Sequence, residues 1–93
     1  MARKHAFVHG KVQGVAFRMC AQEAAWRLDL HGWIRNLSCG ERVELVVSGD
    51  DQSVETFLKW CADGPPLAKV EKVEVSEDAG DEELKPFAIL ETL

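Results

Sequence analysis

The chain predicts an α+β fold, an antiparallel sheet covered on one face by two helices, and three observations lead there. Short segments of alternating apolar residues occur at 4–12, 33–38, 42–48, 69–76 and 87–92. Two further segments, 17–30 and the stretch between Gly49 and Gly64, repeat instead at helical spacing, and Gly or Pro punctuates most joints. With 93 residues, 46% of them apolar, there is material for one core and no surplus for a second, so residues 1–93 are expected to form a single domain.

The first strand places Ala6, Val8, Gly10 and Val12 on one face and His5, Phe7, His9 and Lys11 on the other. A glycine turn follows it. From Phe17 the set Phe17, Ala21, Ala24, Ala25 and Leu28 marks one face of a helix reaching Leu30, with Gly32 as its C′ residue. The strand at 33–38 turns back through Cys39-Gly40-Glu41 into 42–48, where Val43, Leu45 and Val47 alternate, forming a hairpin. Gly49-Asp50-Asp51 supplies an N-cap for the second helix, whose stripe is Val54, Phe57, Leu58 and Cys61, with Trp60 over its edge. Gly64-Pro65-Pro66 stops it. In the strand at 69–76, Val70 is out of phase with Val73 and Val75, which signals a bulge or a late start. The acidic stretch 77–83 reads as a solvated loop before the final short strand.

This order, β-α-β-β-α-β plus one short C-terminal strand, is the split βαβ or ferredoxin-like arrangement. Many functions use that architecture, so function must come from a site.

Composition narrows the classes. No apolar run is long enough to span a membrane, and Met1-Ala-Arg-Lys-His5 lacks the apolar stretch of a secretory signal, so a cytoplasmic protein is expected. Cys20, Cys39 and Cys61 are odd in number and widely spaced, giving neither a disulfide framework nor paired metal-ligand spacing; Cys20 and Cys61 read as packing residues and Cys39 as an exposed turn thiol. A net charge of −5 argues against a nucleic-acid partner. Residues 1–42 hold seven Lys/Arg against three Asp/Glu, and residues 43–93 four against thirteen. Either the basic half gathers charge around its glycine loop, or the halves interleave and the asymmetry averages out; the sequence leaves both open.

The segment Gly10-Lys-Val-Gln-Gly-Val-Ala-Phe-Arg18 is the most informative one. Glycines permit positive φ, so successive N–H groups can converge on one point at the mouth of a helix whose dipole adds to the same point. Arg18 would add full charge and a planar fork of donors.

Other chemistries lack their residues. Val15 and Ala16 follow Gly14 where a P-loop needs Lys and Ser or Thr, and no Gly-x-Ser-x-Gly elbow occurs. His5 and His9 share a strand face roughly 13 Å apart, too far to hold one metal ion, so no metal site is expected. His31 reads as a residue at the helix end, interacting with its dipole. Asn36, on the strand after the first helix, reads by spacing alone as a polar group needing partners, whereas Arg18 already reads as functional.

Taken with Leu30-His-Gly-Trp-Ile-Arg-Asn36, Arg42-Val-Glu44 and Gly49, the glycine segment resembles the acylphosphatase family. Gly64-Pro-Pro-Leu-Ala-Lys-Val70, Val73-Glu-Val75 and Phe87-Ala-Ile89 extend a weaker likeness. The resemblance implies a ferredoxin-like α/β sandwich that hydrolyses acyl phosphates to a carboxylate and inorganic phosphate without metal or cofactor. It implies that the backbone of Val12, Gln13, Gly14, Val15 and Ala16 cradles the phosphoryl group, that Arg18 binds its charge, and that Asn36 orients the attacking water. Ala16 stands where the family has Gly or an aromatic, and the Ser38–Glu41 turn is one residue longer than usual.

The substrate would be a small acyl phosphate, with inorganic phosphate as product, and nothing requires more than a monomer. A silent anion-binding or protein-interaction module on the same fold is the alternative reading. An RNA-binding sheet face is disfavoured by the acidic balance.

Overall fold

The computed structural model describes residues 1–93, and its elements run β1 (Ala2–Lys11), α1 (Phe17–Arg27), β2 (His31–Asn36), β3 (Arg42–Gly49), α2 (Asp51–Asp63), β4 (Lys69–Glu77) and β5 (Ala88–Ile89). The sheet order is β4-β1-β3-β2-β5. The four long strands pair antiparallel, as expected, while β5 joins β2 in parallel through Trp33↔Ala88 and Ile34↔Ile89. The sheet is therefore mixed rather than wholly antiparallel. The chain crosses from β4 at one edge to the other edge and there runs beside β2 in the same direction.

Alternation places Ala6 and Val8 of β1, Ile34 of β2 and Val43, Leu45 and Val47 of β3 on the helix-covered face, all fully buried. From α1 come Phe17, Ala21 and Ala25, and from α2 Val54, Phe57 and Cys61, the stripes read from helical spacing. Trp60 covers the edge of that stripe, its ring 5.5 Å from Phe17 and 6.3 Å from Phe57. Asp50 caps α2 by accepting from the Ser53 N–H at 3.3 Å, and Gly64 ends it at φ 71°. Between β1 and β4 the register slips at His9/Gly10, with Glu71 the extra residue, which is the bulge that puts Val70 out of phase.

Three expectations at the joints change. Helix α1 ends at Arg27 rather than Leu30, because Asp29 adopts φ 56° and the N–H groups of Leu28, Asp29 and Leu30 turn back onto Ala25 and Trp26. Gly32 is thus a strand residue, not a C′ residue: a Cβ there would meet the Val46 carbonyl oxygen at 1.9 Å. His31 becomes the exposed first residue of β2, so it caps no helix. Strand β2 consequently runs 31–36 instead of 33–38, and β5 has two residues rather than the expected six.

The charge asymmetry resolves through topology. Strands of the basic and acidic halves alternate across the sheet. Arg3 bonds Asp78 at 2.5 Å and Glu82, Lys4 bonds Glu77, and Arg35 bonds Glu44 at 2.7 Å. The acidic loop after β4 is fastened to the start of β1 in this way.

Candidate active site

Strand β1 ends at Lys11, and the chain crosses to α1 through residues 12–16. None of the backbone N–H groups from Val12 to Met19 donates to an acceptor in the protein, since the first helical bond is from Cys20 to the Ala16 carbonyl. Gly14 (φ 73°) and Ala16 (φ 62°) are both left-handed, which lets neighbouring N–H groups point inward as a concave nest. The helix begins directly behind it, so dipole and donors act at one place. Ala16 as N-cap offers no side-chain oxygen to compete for those donors. Gly10, by contrast, does not belong to the cradle. It is a paired residue of β1 opposite the β4 bulge, where a Cβ would lie 2.1 Å from the Lys69 carbonyl oxygen.

Arg18 is half-buried and forms no salt bridge within the chain. Together with Val12, Gly14, Ala16, Phe17, Met19 and Ile89 it lines a cavity of about 150 Å³. That volume is on the scale of a few water molecules, at about 30 Å³ each. Of the residues expected at the site, Val12, Gly14, Ala16 and Arg18 line this cavity. Val15 instead buries its side chain in the core, and Gln13 turns its side chain away. Met19 and Ile89 were not legible as lining residues, because only the pairing of β5 brings Ile89 there.

Asn36 closes β2. It shares the helix-side face with Ile34, whose strand partner Ile89 lines the cavity. Its Oδ1 is buried and has no hydrogen-bond partner in the protein. An unmet buried acceptor costs about 1–3 kcal/mol, so Asn36 Oδ1 is a ready acceptor for a water or ligand hydrogen. Its surroundings are well fixed: the Leu93 N–H donates to the Asn36 carbonyl at 3.1 Å, and Ser38 N–H donates to the Leu93 carbonyl at 3.0 Å. The Gln13 side-chain amide donates to the carbonyls of Leu37 at 2.8 Å and Arg42 at 2.9 Å.

On the opposite face of the sheet several charged groups are paired. His5 and Arg35 both bond Glu44, at 2.7 and 2.9 Å. Burial alone would raise the Glu44 carboxyl, but these two partners outweigh it and hold it below the usual carboxylate range. His9 bonds Glu74, and the Arg42 guanidinium lies 5.4 Å from the Phe7 ring centroid. Exposed Cys39 accepts from Arg42 Nε at 3.5 Å, which lowers its thiol pKa, while burial raises that of Cys61.

The acylphosphatase family model matches residues 4–89. An acylphosphatase of Methylococcus capsulatus is 50% identical over 90 residues, covering 97% of this chain and 97% of its own. One from Pyrobaculum aerophilum is 46% identical over 93 residues, covering 100% of this chain and 98% of the relative. The crystal structure of acylphosphatase from Bacillus subtilis superposes with a TM-score of 0.90 at 33% identity, over 97% of this chain and 99% of that one. With the cradle, the unpaired arginine and these likenesses agreeing over nearly the full length, the chain belongs to the acylphosphatase family.

Proposed function

We propose that the protein hydrolyses acyl phosphates by direct attack of water on phosphorus. The observation that carries this reading is the run of free N–H groups from Val12 to Met19, within which lies Arg18, a guanidinium with no carboxylate partner. Such a site is built for a phosphoryl group: the backbone donors of Val12, Gln13, Gly14, Val15 and Ala16 meet its oxygens, and Arg18 holds the charge that redistributes as the bond to the leaving group lengthens. Asn36 Oδ1 accepts a hydrogen from water and aims its lone pair at phosphorus. The new P–O bond forms as the bond from phosphorus to the acyl oxygen breaks, and the carboxylate departs with that electron pair. The proton of the attacking water passes to a phosphoryl oxygen, so no strong protein base is needed. Carboxylate is a good leaving group, and the remaining task is positioning and electrostatics.

Every group in this scheme comes from one copy of the chain, and the protein works as a monomer. Its three unpaired thiols suit the reducing conditions of the cytoplasm. Hydrolysis of benzoyl phosphate in ¹⁸O-water tests the reaction. The label is expected in inorganic phosphate and not in benzoate, unchanged by a chelator. No hydrolysis, or label in benzoate, overturns the proposal.

A further inference from the structure

We propose that the Gln13 side chain is a positioning residue that fixes Asn36 relative to the phosphate cradle; this rests on the roles just given to the cradle and to Asn36. Gln13 sits inside the cradle loop, between buried Val12 and Gly14, yet its side chain reaches away from the cavity. Its Nε2 donates to two carbonyls, Leu37 at 2.8 Å and Arg42 at 2.9 Å. Those carbonyls flank the base of the β2–β3 hairpin. The Leu37 N–H donates to the same Arg42 carbonyl at 3.1 Å, and Asn36 pairs with Val43 in the adjoining register step.

These are the only hydrogen bonds made by a side chain of residues 12–16. The backbone donors of that loop are all kept free, so its backbone N–H groups do not fasten it to the hairpin. Below the loop the β1–β3 ladder and the Gly10 N–H, which donates to the Glu41 carbonyl at 3.0 Å, already join the two strands. Within the loop itself this one amide is the hydrogen-bonded tie that sets its distance from the end of β2. The geometry suits an amide specifically: both acceptors are carbonyl oxygens, and one NH₂ group carries two donors on one atom. A glutamate of the same shape would set oxygen against oxygen. Because a misplacement of about 1 Å can cost roughly 100-fold in rate, the rate of the water-attack step should feel this clasp more than phosphate binding does.

The test compares Gln13→Glu, Asn36→Ala and the unaltered chain for kcat with benzoyl phosphate and for the inhibition constant of inorganic phosphate. Gln13→Glu is expected to lower kcat roughly 10- to 100-fold and to leave the phosphate constant unchanged. Gln13→Met fills similar space without a donor and is read by the same split, which covers the case where a buried carboxylate prevents folding. An unchanged kcat in the Gln13 variants overturns the inference while leaving the reaction assignment intact, provided Asn36→Ala lowers kcat. A phosphate constant that rises in proportion to the loss of kcat also overturns it, since the side chain would then act on the cradle itself. Full activity in Asn36→Ala would sink the underlying assignment instead.

Discussion

The phosphate cradle and the open sheet face treat polar groups in opposite ways. On the open face Glu44 takes bonds from His5 and Arg35, His9 bonds Glu74, and Arg42 stacks over Phe7, so these side chains have partners within the protein. In the loop leading into α1 the backbone N–H groups and the Arg18 guanidinium make no bond within the protein, and at the end of β2 the buried Asn36 Oδ1 makes none either. A buried acceptor left unmet, such as Asn36 Oδ1, costs stability, whereas the N–H groups at the mouth of α1 and the part-exposed Arg18 are open to water and to an incoming anion. Residue type does not separate the two regions, since arginine serves both; pairing does.

Two arginine variants break this comparison most sharply. Arg18→Ala should cut kcat/KM by roughly 10³- to 10⁵-fold and weaken phosphate inhibition, with little change in thermal stability. Arg3→Ala, which removes the partner of Asp78 and Glu82, should do the reverse: unchanged turnover and a lower thermal midpoint. Equal effects on activity would erase the distinction.

The matched region predicts a loss of stability. Glu44→Gln should destabilise the fold by about 1–3 kcal/mol at neutral pH, because His5 and Arg35 lose a charged acceptor. The pH dependence has a definite sign. The Glu44 pKa is depressed in the fold, so its contribution is complete above the unfolded value of about 4.3 and fades as pH falls through the lower folded value. Urea midpoints measured down that acid limb should fall less steeply for Glu44→Gln than for the unaltered chain.

The smallest effect concerns the backbone of the cradle. Ala16 at φ 62° carries the penalty of a left-handed alanine, and Ala16→Gly should stabilise by ~0.5–1 kcal/mol. Turnover should be retained, since the N–H stays in place. A loss of stability would show that the Ala16 methyl packs more usefully than its strain suggests.

Periodicity made both helices and the four long strands legible, because Phe17, Ala21 and Ala25, or Val54, Phe57 and Cys61, can meet a core only at helical spacing. The glycine segment and Arg18 were legible as an anion site for a similar reason: the turn chemistry is local. Asn36 was not, since strand spacing cannot tell an orphaned amide from a satisfied one, and only the family resemblance singled it out. What remained hidden depends on distant partners. Gly10 reads as a residue of the first strand and the start of the glycine segment, and Gly32 as a helix C′ residue, yet the need for glycine at both is a neighbouring strand's carbonyl that leaves no room for a Cβ. Nothing in Asp29 announces that it will take the left-handed position ending α1. The Gln13 clasp joins carbonyls 24 and 29 residues away, which no local pattern encodes, although a lone polar side chain between Val12 and Gly14 was a faint signal.

The central claim is that the site divides its labour: the cradle and Arg18 hold the phosphoryl group, and Asn36 aims the water. Measuring kcat for benzoyl phosphate and the phosphate inhibition constant of Asn36→Ala in one preparation tests that division. The account predicts a fall in kcat of roughly 100-fold or more with phosphate affinity unchanged. Near-normal turnover, or affinity lost in step with turnover, would contradict it.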